Sequence, residues 1–342
     1  MLNPAAGDYV TGDPAKPARL VVVVDTEEEF DWSTKFSRHN TSVRAMRSIG
    51  RLQAVFDEYQ ITPVYVVDYP IVSQPEGYGP LQEIHRDGRC LIGSHLHPWV
   101  NPPFTEPVST WTSFPGNLDR ELESAKLRAL SELIGERFGT APTIYKAGRY
   151  GVGRNTAAIL EAQGYAVDLS VCPRMDYSGE GGPDFSAFGP RPYWFGQRPR
   201  LLELPLTVGF SGALRRWGAV THRALSHPRL APVHAIGVLA RLRLLDKVWL
   251  SPEGYHASEL RRLGRALWRD GLRVFSFALH SPSAEPGHTP YVRSTHELAE
   301  LLDRCRRVFD LMLGELGARP STPLELRREW NDLPEQGSAE VS

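Results

Sequence analysis

Leu20-Val21-Val22-Val23-Val24-Asp25, continuing directly into Thr26-Glu27-Glu28-Glu29-Phe30-Asp31-Trp32, is the stretch on which the reading of this chain turns. A leucine and four valines in a row present no polar face, which suits a strand covered on both sides, as in a parallel sheet. Five acids then follow within seven residues. Carboxylates at the end of a buried strand are costly unless something positive lies beside them, and barrel enzymes build their active sites at the carboxyl ends of their strands. Side chains alternate along an extended chain, so Asp25, Glu27 and Glu29 share one face while Thr26 and Glu28 take the other. Two carboxylates at i and i+2 can divide labour, one binding a cation and one moving a proton. A solvated acidic loop is the plainer alternative, and its position right behind four valines argues against it.

Outward from this strand, apolar residues recur at helical spacing over 41–60 (Val43, Met46, Ile49, Leu52, Val55, Phe56), followed by a strand at 63–67, a helix at 80–86 and a strand at 90–94. A long helix is predicted over 118–138 and a strand over 143–146. A helix at 155–163 closes at Gly164, with strands at 166–171 and 201–205. A helix at 258–270 stops at Gly271, a strand occupies 274–279, and the last helix runs over 295–316. Strands alternating with helices predict one α/β domain of barrel type over residues 19–316. The Pro/Gly-rich residues 1–18 are expected to be a loose leader and the polar residues 317–342 a frayed tail. The stretch 212–255 breaks the rhythm. It reads as a helical insertion without strands, carrying Arg215, Arg216, Arg223, Arg229, Arg241 and Arg243. These arginines suit either a solvated basic face or a surface that receives an anionic part of a substrate.

A formal net charge of −1 on 342 residues offers no global attraction to nucleic acid. Cys90, Cys172 and Cys305 are too few and too scattered for a disulfide framework or a thiolate zinc site. The first twenty residues lack the apolar core of a secretory signal, and no run reaches the ~18 apolar residues of a membrane span, so a cytoplasmic location is expected.

Three further segments carry chemistry. Ile92-Gly93-Ser94-His95-Leu96-His97-Pro98-Trp99 places two histidines at i and i+2 as the chain leaves a strand, where both can aim at one point. With the neighbouring carboxylates they form a His₂-carboxylate set that suits a zinc-like divalent ion and leaves positions open for water. Core histidines are the plainer reading of an isolated H-x-H. Tyr145-Lys146-Ala147-Gly148-Arg149-Tyr150-Gly151 follows another strand, and Arg149 there can hold a carboxylate ionised and oriented, or merely form a surface ion pair. In Phe277-Ala278-Leu279-His280-Ser281-Pro282, followed by Pro286-Gly287-His288-Thr289-Pro290-Tyr291, a histidine ends the last strand and is placed to protonate a leaving amine. Trp99, Phe104, Trp111 and Phe114, on a proline-stiffened loop, look like a pocket wall facing a sugar ring or acyl chain, with Tyr150 beside them.

In order and spacing, these four blocks resemble those of the polysaccharide deacetylase (NodB-homology) family, over roughly residues 18–309. The DTEEEFDW opening and the LHSPS…PGHTPYV closing block are similar to the WalW-like branch. The resemblance implies an irregular (β/α) barrel with one divalent metal, zinc being the expected ion. It implies Asp25 as general base, Glu27, His95 and His97 as metal ligands, Arg149 orienting Asp25, and His280 as general acid, with Asp168 tuning His280. Two departures stand out: the family commonly has adjacent aspartates and histidines four apart, whereas this chain has Asp-Thr-Glu and His-x-His. Neither argument assigns a role to Glu28 or Glu29.

The implied reaction is removal of an acyl group from an N-acylated amino sugar or glycoconjugate precursor. The same chemistry could instead open a small cyclic amide or ureide. A metal-free glycoside hydrolase using two of the carboxylates, and an inactive glycan-binding relative, are the other readings. The two histidines beside the acids argue against the first, and retention of the whole residue set argues against the second.

Overall fold

The computed structural model describes residues 4–10, 16–29, 34–197, 200–225 and 235–331. Phe30, Asp31 and Trp32 of the opening block, Arg229, and parts of the leader and tail lie outside the described residues. Eleven strands are found there: β1 (Arg19–Thr26), β2 (Val64–Val67), β3 (Leu91–Leu96), β4 (Ile144–Ala147), β5 (Val167–Asp168), β6 (Tyr193–Phe195), β7 (Leu201–Glu203), β8 (Val208–Ser211), β9 (Asp246–Trp249), β10 (Val274–His280) and β11 (Arg319–Pro320). The main sheet runs β10-β1-β2-β3-β4-β5-β7-β6, parallel except for β6, with β11 on β1. Helices cover it between successive strands, the arrangement of an irregular (β/α) barrel.

β1 shows why its sequence is apolar on both faces. Leu20, Val22 and Val24 pack outward with Leu52, Phe56 and Phe309, while Val21 and Val23 pack with Val66, Ile144, Val167 and Leu202 of the neighbouring strands. Asp25 continues the phase of Val21 and Val23, and its in-register partners are His280 on β10 and Val66 on β2. On the next pair of strands, His95 is in register with Lys146. The residues singled out for chemistry therefore come from the carboxyl ends of adjacent strands.

Between β7 and β10 the sheet is completed by irregular backbone. Ser276 N donates to Thr207 Oγ1 (2.8 Å), Leu250 N to the Thr207 carbonyl (2.8 Å), and Ala278 N to the Leu250 carbonyl (3.2 Å). These contacts seat an antiparallel pair, β8 with β9. Here the expectation of a strand-free insertion over 212–255 is corrected, because β9 lies within it. Its four residues, of which only Val248 is fully buried, are too short and polar to register as a strand. The helices Gly218–Leu225 and Ala235–Arg241 lie between the two strands.

The tail is corrected as well. Residues 317–331 are not frayed: β11 adds to β1, and the helix Pro323–Asn331 buries Leu326 against the same cluster as Val21 and Val23. Glu329 ties this helix back to Arg19 at 2.8 Å. The leader also docks, through the Tyr9–Tyr193 bridge and the buried Val10. Polar composition hid both segments, because each spends only two or three apolar residues on the body of the domain.

The long helix Arg120–Phe138 supplies one further support. Its fully buried Lys126 donates to the carbonyls of Pro98 (3.0 Å), Asn101 (2.5 Å) and Pro103 (2.7 Å) and pairs with Glu106 at 3.1 Å. A buried ammonium is tolerated only when so satisfied, and here it pins the loop that leaves β3. No helix among the described residues is long and apolar enough to cross a membrane.

If the helix Pro323–Asn331 is part of the domain, Leu326→Ala will lower unfolding stability by about 2–4 kcal/mol, the usual cost of emptying a buried leucine site. Urea denaturation of the full chain measures this, and an unchanged midpoint would show the helix to be a dispensable appendage.

Candidate active site

His95 and His97 flank the end of β3, and their Nε2 atoms stand 3.1 Å apart. Glu27 Oε2 is 3.4 Å from each of them. The other ring nitrogen decides what this means. His95 Nδ1 lies 3.0 Å from the Lys146 carbonyl, and His97 Nδ1 lies 2.8 Å from Glu28 Oε2. Both partners accept hydrogen bonds, so each Nδ1 carries the proton and each Nε2 carries a lone pair. Burial also keeps His97 in its neutral form, its pKa lying below the ordinary histidine value. Two lone pairs and a carboxylate oxygen, all buried, thus face one point. Ligands about 2.0–2.1 Å from a four-coordinate ion are about 3.3–3.4 Å from one another, so the spacing and the donor types both fit a divalent cation. The three residues form a group that can hold a metal.

Behind His97 stands a carboxyl pair whose role the sequence did not disclose. Glu28 accepts from His97 and, at 2.8 Å, from the Trp99 indole. Its backbone N–H donates to Asp68 (2.8 Å), and the two carboxyl groups are themselves hydrogen-bonded. Burial pushes the Glu28 carboxyl up to about 7 and Asp68 well above the usual carboxylate range, with Glu28 adding to the latter. A proton on Asp68 lets it donate to Glu28, leaving Glu28 to hold His97 in one tautomer. Asp68 also caps the helix Tyr69–Ser73 through Ile71 N at 2.9 Å. Strand alternation had separated Glu27 from Glu28. β1 ends at Thr26, and the two glutamates reach opposite edges of the same imidazole.

Beside the cluster lie Asp25 and His280, with Asp25 Oδ2 to His280 Nε2 at 3.8 Å. Lys146 Nζ is 2.6 Å from both oxygens of Asp25. Burial opposes ionisation of Asp25, but Lys146, with His95 and His280, holds its pKa below the usual range. His280 is the converse. Burial disfavours its charge, yet Glu253, Glu27 and Asp25 raise its pKa to about 10. Its Nδ1 lies 2.7 Å from Glu253 Oε2, and Glu253 also accepts from the His280 backbone N–H and from Ser283. The pair is a carboxylate ready to take a proton beside an imidazolium ready to give one.

Two expected partners are replaced. Arg149 does not orient Asp25: its guanidinium bonds Ser113 Oγ (2.6 Å) and Glu180 and packs on Phe114. Lys146 takes that place. Asp168 does not tune His280; it bonds Ser170 and pairs with the buried Glu203, which is in register with it on β7. Glu253 takes that place. A lysine inside the apolar strand Ile144–Ala147 was a legible signal for the first. Glu253 lay in the stretch read as strand-free, just beyond β9.

The aromatic residues divide. Trp99 and Phe114 are buried at 1% exposure and are supports rather than a pocket wall. Trp99 stacks on His97 with ring centres 4.3 Å apart. Trp111 is exposed, whereas Tyr150 lines a cavity of about 300 Å³ together with Asp25, His280, Trp249, Leu279 and Tyr291. Both Arg149 and Tyr150 have left-handed backbones (φ 52° and 59°), a costly conformation that sends one side chain to the surface network and the other into the cavity. Glu29 holds the loop before the helix Gly50–Glu58, accepting from Ser42 Oγ (2.6 Å) and Ala45 N (2.5 Å).

No protein-family model matches the chain, and no curated protein matches it in sequence. Solved structures do share its fold. A candidate polysaccharide deacetylase from Mycobacterium smegmatis aligns over 97% of this chain and 95% of its own, at TM-score 0.54 and 13% identity. Puue allantoinase aligns over 96% of both chains, also at TM-score 0.54 and 13% identity. A candidate polysaccharide deacetylase from Pseudomonas aeruginosa PAO1 covers 92% of this chain and 90% of its own, at TM-score 0.52 and 13% identity. The fold of the polysaccharide deacetylases, implied by the four sequence blocks, is the fold of this chain.

If Glu28 sets the tautomer and orientation of His97, Glu28→Ala will weaken divalent-metal affinity about 10–100-fold, the usual effect of removing a carboxylate behind a metal-bound histidine. Competition with a chromophoric chelator reads this without any substrate. Unchanged affinity in a folded variant would remove Glu28 from that role.

Proposed function

We propose that the chain is a metal-dependent hydrolase of a carbon–nitrogen bond, removing an acyl group from an N-acylated amino sugar or glycoconjugate precursor, with zinc bound by Glu27, His95 and His97. The observation that carries this reading is a His₂-carboxylate cluster with a lysine-paired carboxylate, Asp25, and a glutamate-paired imidazole, His280, beside it. A divalent ion held there would polarise the acyl carbonyl and acidify water.

Asp25, ionised under Lys146, takes the proton of the attacking water. His280, kept charged by Glu253, protonates the departing amine, which would otherwise be too basic to leave. Glu28 and Trp99 keep His97 oriented, and Tyr150 with Trp249 and Tyr291 shapes the cavity that receives the substrate beside these groups. A glycoside hydrolase would need no basic partner for its carboxylates and gives the two facing imidazole lone pairs no purpose.

One alternative within the same chemistry has its own support: the allantoinase fold aligns as closely as the first deacetylase. Hydrolysis of a small cyclic ureide would use the same base, acid and cation.

Elemental analysis of purified wild type and His97→Ala will find about one divalent ion per chain in the first and little in the second. Asp25→Asn and His280→Gln will each lower kcat about 10²–10⁴-fold while leaving the metal bound. Acyl release from N-acetylated sugars, run beside ring opening of allantoin, separates the two substrate classes. No metal in wild type after zinc is supplied would overturn the hydrolase reading altogether.

A further inference from the structure

The described arginines of the insertion lie away from the candidate active site. Arg215 is tied to Asp270, just before β10 begins, whereas His280 ends that strand, about 20 Å away at strand rise. Gly209 of β8 likewise lies against Leu263 and Leu267, and Ser211 pairs with Asp246 at the far end of the hairpin. The described part of the insertion is thus carried at the end of the barrel opposite His280, and Arg215, Arg216, Arg241 and Arg243 are not among the residues lining the cavity.

Two properties coincide there. Between Glu203 and Asp246 the chain has 42 residues with six arginines, three histidines and no acid, within a protein of net charge −1. Four of the seven large apolar residues exposed among the described residues also fall in it: Trp217 (66%), Val220 (74%), Val238 (48%) and Leu242 (62%). Trp217 and Val220 flank the start of the helix Gly218–Leu225, and Val238 lies in the helix Ala235–Arg241 with Leu242 in the turn that follows it. Arg216, Arg241 and Arg243 are exposed among them.

We propose that this face docks the protein on an anionic lipid bilayer, with Trp217, Val220, Val238 and Leu242 entering the interfacial layer and Arg216, Arg241 and Arg243 engaging lipid phosphates. Arginine with Trp and Leu on short helices is the composition of interfacial segments. A second copy of the chain fits poorly, because a two-fold contact sets the patch against itself and opposes like charges. The distance from His280 leaves the catalytic mouth facing away from the surface, open to substrate from solution. This inference is independent of the hydrolase reading.

The test is co-sedimentation of the full chain with vesicles of phosphatidylcholine alone and of phosphatidylcholine with 30 mol% phosphatidylglycerol (about a third anionic lipid, within the range that attracts basic segments). Binding is expected only to the anionic vesicles and should weaken as salt rises. Each arginine near such a surface contributes about fivefold in affinity, so R216E/R241E/R243E should bind about 10²-fold more weakly or worse. Trp217→Ser should weaken binding while leaving circular dichroism and the elution volume in gel filtration unchanged. Absent binding at low salt, or equal binding by the triple variant, would overturn the proposal. So would a dimer that dissociates on Trp217→Ser, or binding to soluble polyglutamate as tight as to vesicles, which would assign the patch to a second copy or to an acidic protein.

Discussion

Three buried lone-pair donors within 3.4 Å of one another are the constraint around which this domain is arranged. His95 Nε2, His97 Nε2 and Glu27 Oε2 repel each other unless a cation lies between them, and both rings are held in place from their other edge. The Lys146 carbonyl fixes one ring and Glu28 fixes the other. Behind Glu28 are Trp99 and the Asp68 carboxyl, and Asp68 in turn caps a helix. The stability of the strand ends is thereby made to serve a geometry that is unfavourable by itself, the usual economy of a functional site.

Charge around that cluster is partitioned by the strands. Asp25 and His280 are in-register neighbours on β1 and β10, close enough to influence each other, yet each has a private counter-charge on the side away from the other. Lys146 keeps the carboxyl ionised and Glu253 keeps the imidazole protonated. The two neighbours also favour each other's charged forms across 3.8 Å. Counter-charges of this kind are how neighbouring groups in one site are kept in different protonation states at the same pH.

Much of this was legible in particular residues. The valine run predicted a strand covered on both faces, and alternation from Val21 through Val23 placed Asp25 inward. His95-Leu96-His97 suggested two rings converging. The partners were harder to see. Lys146 is 121 residues from Asp25, Glu253 is 27 residues from His280, and Asp68 is 40 from Glu28. The family resemblance implies Arg149 beside Asp25 and assigns no role to Lys146, three residues before it. The docked tail is hard to see in the sequence because only Leu324, Leu326 and Trp330 join the cluster, within an otherwise polar helix.

The sequence by itself determined the parallel barrel and the side on which its chemistry lies, because hydrophobic periodicity and the position of polar residues at strand ends are local properties. Which basic group meets Asp25, which acid meets His280, and which edge of His97 each glutamate reaches were decided only by the tertiary structure. Those choices depend on the relative register of β1, β3, β4 and β10 and on the path of the chain after β9. Register is set by the packing of whole strands and helices against one another, and no short stretch of sequence carries it.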